Sequence, residues 1–175
     1  MKRLTDNFFF LKKMTDKFSE PDTLDLALLD RLQTDANLSN QALAEMVGVS
    51  PATCLRRTRR LWDAGLIERQ VALLNTDRLG ELLGHGLTAL AEVSLDKQDA
   101  DSLDAFEIRA VSDAAVQQCY RVSPGPDFVL VVVVPDMPGY HALAQRLFNT
   151  DANVRNVKAF FSVKRAKFGT QVVLG

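Results

Sequence analysis

Leu43-Ala44-Glu45-Met46-Val47-Gly48-Val49-Ser50-Pro51-Ala52-Thr53-Cys54-Leu55-Arg56-Arg57-Thr58-Arg59-Arg60-Leu61 decides the reading of this chain. Leu43 and Val47 recur at helical spacing, and Gly48 stops that helix at its C-terminal end. Ser50-Pro51 starts the next helix. The Ser hydroxyl can accept from a free N–H of the first turn, and Pro in that turn loses no hydrogen bond. Cys54, Thr58 and Leu61 form one helical row, and Gly65 ends the helix. Upstream, Leu24, Leu26, Leu28, Leu29 and Leu32 mark an earlier helix, with Asp22 or Thr23 as its N-cap. Ser39 caps the short second helix from about residue 40. Downstream, Leu66-Ile67 and Val71 to Leu74 read as extended. Three helices with a tight Gly turn between the second and third, then an extended segment as a candidate wing, read as a (winged) helix-turn-helix over residues 21–68.

The inward row leaves Ala52, Thr53, Leu55, Arg56, Arg57, Arg59 and Arg60 facing outward. Short side chains at the start of such a helix permit close approach to a major groove. Arg forks onto guanine O6 and N7 or pairs with phosphate. Ser39 and Ser50 stand at helix N-termini, where backbone N–H groups can take phosphate oxygens. The candidate DNA-binding set is therefore Ser39, Asn40, Gln41, Ser50, Pro51, Ala52, Thr53, Arg56, Arg57, Arg59 and Arg60. Arginines nearer the helix start are expected to read bases, and those farther along to hold phosphate. A three-helix protein-interaction module with a solvated Arg face is the alternative reading.

The formal net charge of the 175 residues is only −1, so the local run of four Arg at 56–60 carries this argument, not the bulk charge. Hydrophobic residues are 47% and charged residues 25%, a globular composition. Residues 1–20 form a basic, aromatic and polar arm, within which Met14 is a possible alternative start. No stretch is long and apolar enough for a membrane span. Cys54 and Cys119 lie in apolar-periodic segments without a CxxC pattern, as expected of a chain in a reducing cytoplasm. His85 and His141 have no ligand-spaced partners, so no metal and no cofactor is expected. No nucleophile elbow, phosphate loop or dinucleotide fingerprint is present, so no catalytic residue is assigned.

Residues 69–86 hold three glycines and read as a linker or hinge strand. Beyond it, strands at 87–95, 115–122, 128–134 and 154–164 alternate with helices at 99–111 and 138–149. The chain is thus α+β: the helix-turn-helix followed, over 87–175, by a ferredoxin-like βαββαβ domain. Phe128 to Val134 is apolar at every position, so both faces of that strand require cover. Two helices cover one face of such a sheet, and a second copy of the sheet is the simplest cover for the other. The turn Ser123-Pro124-Gly125-Pro126-Asp127 joins two adjacent strands and reads equally as a tight turn or as a ligand site.

Leu24-Asp25-x-x-Leu28-Leu29-x-x-Leu32-Gln33, the 43–51 stretch, Cys54-Leu55-x-Arg57-x-x-Arg60-Leu61 and Gly65-Leu66-Ile67 together resemble the Lrp/AsnC family of feast/famine regulators. So do Gln70 to Asn75, Leu79-Gly80, Gln118-Cys119-Tyr120, Gly125-x-Asp127 and Val134-Pro135-Asp136-Met137-x-x-Tyr140. The resemblance spans about residues 24–170. It implies a regulator that binds a palindromic operator in double-stranded DNA. It further implies homodimers that assemble to octamers and an amino-acid effector, apolar and leucine- or methionine-like, held between dimers. It places Tyr120, Gly125, Asp127, Met137, Phe160, Phe161 and Ser162 at effector positions. Pro124 departs from the usual loop, Trp62 stands where a charge is usual, and Thr58 where an apolar residue is usual. Sirohaem decarboxylases share the architecture, but they carry His near the second strand of the C-terminal domain. Here Val116 to Val122 has Tyr120 and no His, which argues against a haem-pathway decarboxylase.

Overall fold

The computed structural model describes residues 20–83 and 86–174, so the arm at 1–19, with Met14, and His85 lie outside the described residues. The chain divides into two compact units. One holds residues to Ala72 together with the last residues from Phe168, and the other runs from Leu73 to Lys167.

The first unit contains helices α1 (Thr23–Thr34), α2 (Asn40–Val47) and α3 (Pro51–Asp63). Leu28, Leu43, Ala44, Cys54 and Leu61 form its buried core, with Leu24, Leu29, Leu32, Leu38, Val47, Val49 and Ile67 packed around them. Gly48 takes the left-handed conformation, φ 71°, that closes α2. A side chain there would be strained, which is why the turn carries glycine. Ser50 caps α3, its Oγ accepting from Thr53 N at 3.3 Å. Residues 68–75 form no strand, so the extended segment expected after α3 builds no wing ladder among the described residues.

Asp22 and Asp25 make a reciprocal cap at the start of α1. Asp25 N donates to Asp22 Oδ1 at 3.0 Å, and Asp22 N donates to Asp25 Oδ2 at 3.1 Å. Asp25 is also completely buried, the only fully buried charged residue among those described. A carboxylate without water requires cationic partners. Arg57 Nη1 donates to Asp25 Oδ1 at 3.1 Å and to Asp22, and Arg60 Nη2 donates to Asp25 Oδ2. Arg57 and Arg60 therefore do not face outward as their spacing suggested: each turns back to α1. The hydrogen bond from Arg57 holds the Asp22 carboxyl below its ordinary pKa. A lowered acid pKa contributes stability that is present above about pH 4 and is lost as pH falls through the lowered value.

The second unit begins with α4 (Thr76–Leu83), in a segment expected to be a linker or hinge strand. Then come β1 (Leu87–Leu95), α5 (Ala100–Ser112), β2 (Val116–Arg121), β3 (Phe128–Val134), α6 (Met137–Ala144) and β4 (Val154–Phe161). A π-helical turn at Gln145–Asn149 replaces the last part of the expected 138–149 helix. The sheet order is β2-β3-β1-β4 with every neighbour antiparallel, the ferredoxin-like arrangement. Ala89, Ala91, Val93 and Leu95 of β1 and Phe128, Leu130, Val132 and Val134 of β3 face the helices. They pack there on Phe106, Ala110, Tyr140, Leu143, Leu147 and Phe148, with the Phe106 and Phe128 rings 4.8 Å apart.

The last residues return to the first unit. The Gln33 amide accepts from Val172 N at 2.8 Å and donates to Val172 O at 2.9 Å. Residues 168–174 thus pack with the helices, although the sequence places them at the end of the sheet domain.

Replacing Asp25 by Asn should cost the helical unit on the order of 3 kcal/mol, because two guanidinium groups lose their buried counter-charge. A urea titration read on that unit checks this, and a loss under about 1 kcal/mol contradicts it. The hydroxyl of Thr58 is buried without a hydrogen-bond partner among the described residues. Thr58→Val should therefore stabilise the unit by about 1 kcal/mol, read in the same titration.

Candidate functional site

The exposed face of α3 is narrower than the sequence implies. Ala52, Leu55, Arg56, Arg59 and Asp63 lie along it, and together with Arg60 they line one shallow surface depression. These positions recur every three or four residues, which puts them on one side of the helix. Arg56 and Arg59 are exposed, with no ion pair among the described residues. Arg57 and Arg60 are half-buried against Asp25. The run of four arginines thus splits in two by helical angle: Arg57 and Arg60 turn to α1, and Arg56 and Arg59 face outward.

The other candidate residues of this region surround the start of α3. Ser39 caps α2, its Oγ accepting from Ala42 N at 3.1 Å. Asn40 Nδ2 donates to Pro51 O at 2.9 Å and so ties the two helices of the turn together. Gln41 Nε2 donates to Glu45 Oε1 at 2.7 Å on the surface of α2. Ser50 Oγ donates to Thr53 Oγ1 at 3.0 Å. Pro51 and Ala52 are exposed at the helix start. Asn40, Ser50 and Thr53 therefore also hold the geometry of the turn.

In the sheet unit, the turn at 123–127 has a structural use. Asp127 Oδ2 accepts from Leu95 N at 2.7 Å, and Asp127 N donates to Val93 O at 2.9 Å. Leu95 lies just past the last β1–β3 pair, Val93 with Phe128, so its N–H on that side has no ladder partner. The carboxylate fills that gap, so one oxygen of the expected effector acceptor is already engaged. Gly125 is exposed with φ 121°, a conformation that favours glycine.

The seven candidate effector residues do not meet within one chain. Tyr120, Gly125 and Asp127 sit toward one end of the β2–β3 hairpin, Tyr120 pairing with Val129. Met137 and Ser162 sit at the other end, where Ser162 N donates to Thr88 O. At ~3.3 Å per residue, Asp127 and Met137 are separated by the whole of β3, roughly 20 Å. Phe160 pairs with Leu90 and shares the face opposite the helices. Phe161 pairs with Ala89 on the helix face and meets the Tyr140 ring edge-on at 4.9 Å. The open face carries Leu90, Val129, Val131, Val133, Tyr120 and Phe160, with the Lys158 ammonium 4.7 Å above the Phe160 ring.

Residues 21–68 match the family described as winged helix-turn-helix DNA-binding, and residues 88–172 match the Lrp/AsnC ligand binding domain. The leucine-responsive regulatory protein of Rhizobium meliloti is 34% identical over 153 residues, which is 87% of this chain and 96% of that protein. The Bkd operon transcriptional regulator of Pseudomonas aeruginosa is 34% identical over 146 residues, 83% of this chain and 93% of that protein. An AsnC family transcriptional regulator from Agrobacterium tumefaciens superposes with a TM-score of 0.78 at 30% identity, covering 87% of this chain and 97% of its own. A transcriptional regulator from Neisseria meningitidis, solved in complex with L-Met, superposes with a TM-score of 0.77 at 29% identity, covering 87% and 96%. These relatives are transcriptional regulators and not enzymes. The chain belongs to the Lrp/AsnC family of DNA-binding transcriptional regulators.

Proposed function

We propose that this regulator reads a palindromic operator in the cytoplasm through the exposed face of α3, and that Arg56 and Arg59 are its principal contacts. The observation that carries this reading is the division of the arginines: two are committed to Asp25, and two extend into solvent beside the small Ala52. Arg56, nearer the helix start, forks onto a base edge, and Arg59 holds phosphate. The exposed N-terminal turns of α2 and α3, at Ser39 to Gln41 and Ser50 to Thr53, approach the sugar-phosphate backbone.

The effector is an apolar amino acid of the leucine or methionine kind, and it binds between copies. Support comes from the separation of the candidate residues. Asp127 and Gly125 of one copy need Met137 and Phe160 of another to enclose a ligand carrying both charges and an apolar side chain. The methionine complex of the Neisseria relative favours the same class. Homodimers form first, through the open sheet face. Val129, Val131, Val133, Leu90 and Phe160 present there an apolar surface that nothing in their own unit covers. Dimers then assemble to octamers.

Arg59→Ala should weaken binding to all DNA sequences alike and reduce the slope of log affinity against log salt by about one. Arg56→Ala should mainly lower preference for the operator over random DNA. Fluorescence anisotropy at several salt concentrations separates the two effects. Unchanged affinity in the Arg56→Ala, Arg59→Ala double variant would overturn the reading.

Val131→Lys places a charge on the open face, and Val132→Lys places one in the helix-packed core. The first should give a folded monomer by light scattering and abolish the calorimetric heat of leucine or methionine binding seen with the parent. A Val131→Lys protein that stays dimeric at micromolar concentration refutes this interface. No heat from the parent with any amino acid at several millimolar refutes the effector reading.

A further inference from the structure

Leu55 is a large apolar side chain on the charged face of α3. It is 55% exposed, whereas its neighbour Cys54 is fully buried. An exposed leucine alone carries no message, because much of any protein surface is apolar. Its surroundings do. It shares one shallow depression with Ala52, Arg56 and Arg59. Leu55 lies one turn beyond Ala52 and one turn before Arg59, and the small Ala52 leaves the surface between Leu55 and Arg56 open to a large partner. The two arginines make a polyanion the fitting occupant, and a double helix offers one apolar group at its major-groove edge: the C5-methyl of thymine.

We infer that Leu55 is a specificity-determining residue that packs on a thymine methyl, within about two base pairs of the base that Arg56 reads. The inference rests on the DNA-reading role proposed above for α3. Arg56 supplies a polar contact that selects guanine, and Leu55 supplies an apolar one that selects thymine against cytosine, whose major-groove edge lacks the methyl. Each half-site then contains a guanine and a nearby thymine as its paired determinants. Leu55 extends from the helix at an angle of about 100° from Arg56, so the two side chains reach neighbouring base steps and not the same one.

The test changes the DNA first, which leaves the protein fold untouched. The tightest duplex that the full chain recovers from a randomised pool is resynthesised with deoxyuridine in place of each thymine in turn. This removes one methyl group and nothing else. One thymine per half-site should show a loss of affinity of about 3- to 5-fold, the worth of one buried methyl group. Leu55→Ala should bind the unmodified duplex weaker by a similar factor or more and show no thymine–uridine difference at that position. Equal affinity of the parent for every uridine duplex overturns the inference. So does a Leu55→Ala protein that keeps the same thymine–uridine ratio, since the methyl group would then act through DNA shape or another side chain. A pool that yields no enriched duplex overturns the underlying DNA reading along with this one, whereas a specific duplex indifferent to uridine overturns this one alone.

Discussion

The buried carboxylate of Asp25 is the constraint on which the DNA-binding half of this regulator depends. A charge removed from water must be neutralised nearby, and here the neutralising groups are Arg57 and Arg60 of another helix. The pair therefore fixes the start of α1 against the middle of α3, in a unit whose apolar core is small. It also decides which arginines remain available. A guanidinium engaged with a buried carboxylate cannot also extend into a groove, so the surface of α3 is left to Ala52, Leu55, Arg56, Arg59 and, at its far end, Asp63. One electrostatic requirement thus sets both the orientation of the recognition helix and the chemistry of its exposed face. The capping box of Asp22 and Asp25 adds to this by fixing where α1 begins.

The sheet domain follows a different constraint. Its antiparallel order buries alternate residues of β1 and β3 under two helices and leaves their neighbours without cover. Period-two alternation in a strand that is apolar at every position makes this unavoidable: either face of Phe128 to Val134 is as apolar as the other. The same antiparallel geometry sends the Asp127 turn and the start of α6 to opposite ends of β3. A ligand that needs both must bridge copies of the chain. The strand whose second face lacks cover is thus also the strand that separates the candidate effector residues.

Much of this was legible in the sequence. Gly48, Ser50-Pro51 and the row of Cys54 and Leu61 specify the turn and both its helices by local rules. Alternating apolar runs and the Pro-Gly-Pro-Asp turn delimit the strands of the sheet. What escaped was long-range. Asp25 lies at N3 of α1, three residues before the buried Leu28, and so on the inward side of the helix. An acid on an inward row asks for a buried cation, and that signal could have reassigned Arg57 and Arg60. The short helix at Thr76–Leu83 was hidden by Gly80 and by the glycines that follow it, which lower helix propensity. The π-helical turn at Gln145–Asn149 has no local signature, since the helical row continues through Leu147 and Phe148. The division of the candidate effector residues between the two ends of the sheet follows from strand order, which a list of residue types does not convey.

The sorting of the four arginines by Asp25 can be read directly by phenylglyoxal labelling of the full chain, with each site quantified by peptide mass spectrometry, in the free protein and with operator DNA bound. The account predicts rapid modification of Arg56 and Arg59 in the free protein, strong protection of both on DNA, and slow modification of Arg57 in either state. Arg57 reacting as fast as Arg56 in the free protein, or DNA protection confined to Arg57, would contradict it.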